Sequence, residues 1–218
     1  MEKEFWVERW ERQETGFHQG DINPYLKRYW PELNLARGSE IFVPLCGKSR
    51  DMSWLREQGY GVTGIELSDI AVRAFFVENG HVPHRDTCGR FDRYEAEGIR
   101  LLCGDFFDLG RDDLANVTAV YDRASLVALP VEMRRRYVRH MADILPSATQ
   151  ILLVTFDYRQ TEMPGPPFAV SPDEVQALYR DYAGIHLLEQ SDVLAQNPNF
   201  KARGLSRLHE NIFLLTLR

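Results

Sequence analysis

The sequence lacks several features that would settle its chemistry directly. Only three cysteines occur in 218 residues, Cys46, Cys88 and Cys103. They lie far apart with no C-x-x-C pair, which excludes a disulfide framework and a zinc knuckle and makes a reducing cytoplasm the simplest setting. Long apolar runs are missing too. ILLV at 151–154 is far shorter than the ~20 residues that span a bilayer, and the amino-terminal MEKEFWVERWERQE alternates charge with aromatics where a signal peptide needs an apolar core. No membrane role is expected. Nor is there an excess of positive charge: 26 Lys and Arg against 32 Asp and Glu leave a net charge of -6, which argues against a grip on phosphate backbones. The densest basic run, MRRRYVRH at 133–140, is followed by more apolar residues, so that Met133, Tyr137, Met141 and Ile144 recur at helical spacing; it reads as the solvated face of a helix.

Glycine is scarce where nucleotide motifs require it. Gly47, Lys48 and Ser49 match the end of a P-loop, but Phe42 stands where that loop needs its first glycine. The dinucleotide fingerprint G-x-G-x-x-G fails as well, because VPLCGKSRDM has a single glycine and leaves little room for the pyrophosphate of NAD or FAD. His81, His84 and Cys88 have a spacing a metal could use, but no fourth ligand is visible, so no metal site is expected.

What is present is an ordinary globular composition, 44% hydrophobic and 27% charged. A chain of this length buries about 70% of the surface its unfolded form exposes, enough for one full core. Residues 4–13 place Phe5, Trp6, Arg9, Trp10 and Gln13 on an amphipathic helix, followed by a turn-rich loop at 15–24 and a second helix opened by Pro24. Apolar strands follow at 41–45, 62–67, 99–103, 117–122 and 150–156, with helical patterns at 50–58, 70–79 and 132–145 between them. A further helix from a Ser171 cap to about 182, a strand at 185–191 and a last strand at 211–217 complete the chain. The connection before the last strand shows no helix, so that strand pairs antiparallel with its predecessor. The pattern predicts an α/β fold, doubly wound, with a seven-stranded mostly parallel sheet whose last strand is reversed. One domain over 1–218 is expected, with 1–35 as an amino-terminal helical extension.

In such a sheet ligands lie at the carboxyl ends of the strands, where strand order switches. The stretch IFVPLCGKSRDMSWL at 41–55 belongs there: Leu45 closes the first strand and Gly47 lets a ligand approach the backbone. Glu66, at the end of the second strand and about 20 residues past the glycine turn, has the spacing of an acid that accepts hydrogen bonds from ribose hydroxyls. An adenosine group without a pyrophosphate is the ligand this combination points to.

FVPLCGKSRDMSWL, GIELSDIAVRAFF, GDFFDL, VYDRASLVALP and PGPPF, in this order and spacing, strongly resemble the thiopurine S-methyltransferase family from Trp6 to the last strand. The resemblance implies a class I, Rossmann-like methyltransferase that uses S-adenosylmethionine and releases S-adenosylhomocysteine. The implied acceptors are thiopurines and other aromatic or heterocyclic thiols, with selenium and tellurium species as further acceptors of bacterial members. Carried over by position, the cofactor contacts fall on Trp10, Leu45, Glu66, Asp105, Phe106 and Arg123, beside Gly47 from the turn itself. The acceptor side falls on Phe17, Arg123 and Phe168, under a lid that contains Trp10 and Phe17. Phe107 is assigned to the core. An aromatic thiol is already largely ionised near neutral pH, so no proton-transfer residue is named. The partner implied is a small-molecule thiol, met by a monomer. A nicotinamide-dependent oxidoreductase and a nucleotide-sensing protein without turnover are the alternative readings.

Overall fold

The structure, a computed structural model, describes residues 3–16 and 18–218. The chain divides into two compact units, Met1–Tyr121 and Asp122–Arg218.

The first unit opens with helix α1 (Lys3–Glu11) and the short α2 (Pro24–Tyr29), which runs into a 3₁₀ turn at Trp30–Leu33. Asn23 starts α2 by accepting the N–H groups of Tyr25 and Leu26, and Pro24 occupies a first-turn position where its missing N–H costs nothing. Then come β1 (Glu40–Val43), α3 (Asp51–Glu57), β2 (Gly61–Glu66), α4 (Asp69–Glu78), β3 (His84–Cys88), β4 (Phe91–Ala96), β5 (Ile99–Cys103) and β6 (Val117–Arg123), whose last two residues, Asp122 and Arg123, already belong to the second unit. The strands are hydrogen-bonded in the order β3-β4-β5-β2-β1-β6. β5, β2, β1 and β6 are parallel, as the strand and helix alternation predicts, and their apolar runs are buried. Since β2 lies on one side of β1 and β6 on the other, the order switches at β1, and the turn after β1 opens at the switch point.

The second unit contains α5 (Val131–Ile144), β7 (Gln150–Asp157), α6 (Pro172–Tyr179), β8 (Ala183–Asp192), α7 (Pro198–Ala202) and β9 (His209–Leu217). Ser171 caps α6 by accepting the Glu174 N–H at 3.3 Å. β9 runs antiparallel to both β7 and β8, so the reversed last strand is present.

Two expectations change. Among the described residues the strands number nine, because 84–96, where the sequence pattern shows no strand, is a hairpin antiparallel to β5. Only Phe91 and Tyr94 of β4 are buried, and β3 has no buried residue, so the apolar alternation that reveals a strand is nearly absent. Cross-strand charge pairs, Arg93 with Asp86 and Arg85 with Asp92, line the hairpin instead. The second change is in 193–208, where no helix was expected: it holds α7 and a 3₁₀ turn at Leu194–Gln196. A five-residue helix is too short to show a period. It closes over a small core of Tyr158, Met163, Val193, Leu205 and Leu208. Among the described residues no helix is long and apolar enough to cross a membrane.

Candidate functional site

Strand β1 ends at Val43, two residues before the predicted end, and Pro44 and Leu45 already belong to the turn. Leu45 has φ +44° and Gly47 φ +53°, so the backbone winds left-handed twice within three residues. That is unfavourable for leucine and free for glycine. The turn is tied to its neighbour strand by the Cys46 N–H, which donates to the Ile65 carbonyl at 2.9 Å.

Glu66 organises this corner. The residue is 6% exposed. Oε2 accepts the Gly47 N–H at 2.9 Å and Oε1 accepts the Ser68 N–H at 2.8 Å, so one side chain joins the turns after β1 and β2. Burial raises its pKa above the ordinary carboxylate range, opposed by the N–H groups of Ser68, Gly47 and Leu67. A carboxylate has about four lone-pair sites, so acceptor capacity remains for hydroxyl donors. The sequence suggests no bond from Glu66 to the start of α4, because the acid sits two residues too early. In the structure it makes that bond, and the Ser68 hydroxyl does not cap the helix. Ser68 Oγ is instead buried with no hydrogen-bond partner among the described residues.

The other first-unit residues converge here. A Cβ placed on Gly47 would stand 3.2 Å from Trp10 Cζ2, which puts the buried indole of α1 against the glycine turn. The Gly104 N–H donates to the Glu66 carbonyl at 2.9 Å, bringing the end of β5 alongside. There Asp105 accepts the Phe107 N–H at 2.9 Å and starts a 3₁₀ turn. Phe106 is buried and stacks on Phe42 at 6.4 Å and 19°, whereas Phe107, assigned to the core from sequence, is only half-buried. Lys48 pairs with Glu78, and the Ser49 hydroxyl accepts the Asp51 N–H, so neither residue does what its P-loop counterpart does. The orphaned Ser68 hydroxyl, the spare acceptor sites of Glu66 and the close-approach glycine together suit a ligand that carries hydroxyls and a flat ring, as an adenosine group does.

In the second unit, Arg123 ends β6, half-buried, its guanidinium with no hydrogen bond or ion pair among the described residues. The neighbouring Asp122 is not its partner. Asp122 is fully buried and accepts the Tyr137 hydroxyl at 2.7 Å and the Leu126 N–H at 3.3 Å; burial pushes its pKa up to about 6. Phe168 is half-buried, and its ring folds back over Gly165, where a Cβ would stand 2.5 Å from it. Phe17 lies outside the described residues.

Sequence reasoning missed two organising residues. Asp51 has the pattern of an ordinary first-turn acid, yet it is buried and accepts the Asn23 N–H at 2.8 Å and the Tyr121 hydroxyl at 3.0 Å, fastening the amino-terminal segment to α3. Arg134 was grouped with the solvated face of its helix but is buried. Its spacing to Tyr137, Val138 and Met141, at i+3, i+4 and i+7, was the available signal.

The chain matches the family model described as Thiopurine S-methyltransferase (TPMT) over residues 1–218. A thiopurine S-methyltransferase of Nitrosospira multiformis is 62% identical over 218 residues, 100% of this chain and 99% of that protein. One of Azotobacter vinelandii is 50% identical, with 100% of both chains covered. Among solved structures, the 1,6-didemethyltoxoflavin-N1-methyltransferase of Burkholderia thailandensis, with bound S-adenosylhomocysteine, aligns with a TM-score of 0.67 at 16% identity, covering 99% of this chain and 87% of that one. A TehB-like methyltransferase of Corynebacterium glutamicum aligns at 0.57 and 14% identity, covering 99% and 98%.

Proposed function

The chain belongs to the thiopurine S-methyltransferase family, and from that premise we propose the residue-level reading that follows. It is an S-adenosylmethionine-dependent enzyme of that class and methylates the sulfur of thiopurines. When bound, S-adenosylmethionine supplies a methyl group activated by the adjacent sulfonium.

The protein's part is to bind, align and exclude water. The observation that carries the reading is the Glu66 carboxylate: buried at the switch point, fixed by two backbone N–H groups, with acceptor sites to spare for ribose hydroxyls. Leu45 and Gly47 form the backbone wall beside it, and Trp10 covers that wall. Asp105 and Phe106 hold the adenine end. Arg123 holds the acceptor as its anionic thiolate, which keeps the sulfur unprotonated without a general base, and Phe168 walls the acceptor ring.

Calorimetric titration tests the cofactor assignment: S-adenosylhomocysteine should bind and NAD should not. Mass-spectrometric detection of a methylthio product from a thiopurine then separates turnover from mere sensing. The reverse pattern with NAD would sink the reading. Residues 1–35 act as a lid on one catalytic domain spanning the chain, so amides of α1 should exchange more slowly with S-adenosylhomocysteine bound. Equal exchange in both states would leave Trp10 as a packing residue only.

The finer setting follows from charge and composition. A net charge of -6 suits small-molecule thiol partners and not nucleic acid, three dispersed cysteines suit the cytoplasm, and the working form is a monomer. Anionic selenium and tellurium species share the thiolate's charge and soft nucleophilic atom, and are further acceptors.

A further inference from the structure

We propose that Arg134 is the positioning residue of the acceptor wall: its buried guanidinium fixes Phe168 in one orientation and thereby sets which acceptors the enzyme takes. The inference rests on the assignment of Phe168 to that wall.

An arginine that is 3% exposed is costly unless its donors are met. Here Nε and Nη1 are met by three separate segments. Nε donates to the Leu129 carbonyl at 2.8 Å, just past the 3₁₀ turn that follows β6. Nη1 donates to the Ala169 carbonyl at 3.0 Å, one residue after Phe168, and to Glu174 Oε1 at 2.5 Å in the first turn of α6. The guanidinium also lies 5.7 Å from the centroid of the Phe168 ring, within cation–π range. One planar group thus ties the start of α5, the loop and α6 together, and touches the ring it positions.

The rest of the loop is fixed to match. The Phe168 N–H donates to the Val127 carbonyl at 2.6 Å, the Tyr158 hydroxyl donates to the Pro167 carbonyl at 2.6 Å, and the Ala169 N–H donates to Gln160 Oε1 at 2.9 Å. Phe168 therefore sits between peptide groups held on both sides. An aromatic wall with this little freedom can select a flat acceptor, because little ordering remains to be done on binding. Lysine cannot replace the arginine: one ammonium lacks the fork that reaches Leu129, Ala169 and Glu174 together, and it does not stack.

The test is a double-mutant cycle between Arg134→Met and Phe168→Ala, with Arg134→Lys and Glu174→Gln as milder variants. Readouts are kcat and KM for a thiopurine and for hydrogen sulfide, a sulfur nucleophile with no ring, alongside the S-adenosylhomocysteine Kd and the unfolding midpoint. Arg134→Met should lower thiopurine kcat/KM by ~10- to 100-fold, mostly through KM, as expected when a positioning group shifts by about an ångström. The S-adenosylhomocysteine Kd should not change, and hydrogen sulfide should lose far less. In the Phe168→Ala background the Arg134 substitution should add nothing further. Arg134→Lys and Glu174→Gln should fall between the wild type and Arg134→Met, which keeps the test available if Arg134→Met does not fold. Additive losses, or equal losses on both acceptors, overturn the positioning role. Loss of thermal stability with thiopurine KM unchanged overturns it too. If Phe168→Ala leaves thiopurine kinetics untouched, the acceptor-wall assignment itself fails, and the inference falls with it.

Discussion

The Gly47 N–H donates to Oε2 of Glu66 at 2.9 Å across 19 positions of sequence. The acid predicted to hold the ribose is thus also the group that shapes the glycine turn. Binding and preorganisation depend on one side chain, so its loss should be felt twice.

Glu66→Ala should weaken S-adenosylhomocysteine binding by roughly 10- to 100-fold, since a hydrogen bond to a charged group is worth about 1.5–3 kcal/mol. Glu66→Gln should fall between, because the amide keeps one acceptor oxygen and places an NH2 against one of the two backbone N–H groups. Calorimetry checks both, and an unchanged Kd in the alanine variant would remove Glu66 from the ribose role.

Gly47→Ala should cost stability through two separate causes. The left-handed φ of +53° costs a Cβ-bearing residue about 1–2 kcal/mol, and that Cβ would press on Trp10 at 3.2 Å. Urea unfolding of Gly47→Ala, Trp10→Phe and the double variant separates them. The smaller ring should relieve the contact and leave the backbone strain. If Gly47→Ala unfolds like the wild type, the turn does not need glycine.

Arg123 should discriminate acceptors by charge. Arg123→Lys keeps the cation and loses the planar fork, and Arg123→Ala loses both, so activity should fall in the order Arg, Lys, Ala. A carboxylate-bearing thiopurine should lose more than a neutral thiol assayed below its pKa. The measurement is kcat/KM at saturating S-adenosylmethionine across the thiol pKa. The same factor lost on both acceptors would make Arg123 a cofactor or structural residue.

Asp122 should make stability fall as pH rises. Its pKa is raised from 3.8 to about 6 in the folded protein, chiefly by burial. Between those values the native state keeps a proton that the unfolded chain releases, so native binding of protons is the larger and the slope of stability with pH is negative. The effect levels off above pH 6. Asp122→Asn removes that titration, so the variant's unfolding free energy should gain on the wild type by roughly 1–3 kcal/mol between pH 4 and 7. Glu66 shifts in the same direction but is present in both proteins and cancels. A difference that does not vary with pH would mean that Asp122 is ionised throughout.

What the sequence by itself determined is what local periodicity and spacing can carry. Alternating apolar strands and helical patterns dictate parallel crossovers, a single glycine after β1 excludes the pyrophosphate motifs, and Glu66 sits at the ribose spacing. The ordered motifs from Trp6 onward specify the family. Tertiary structure alone decided which polar residues are buried and for whom. Arg134 has the composition of a solvated helix face, and only Leu129, Ala169 and Glu174, the last 40 positions away, make its burial affordable. Asp51 is likewise fixed by Asn23 and Tyr121, 28 and 70 positions away. The β3–β4 hairpin depends on the exposed edge of β5 and on charge pairs, with almost no apolar pattern of its own. The reason is common to all three: an apolar residue declares its burial through its own solvation, whereas a buried charge or polar strand is stable only with partners that folding brings to it.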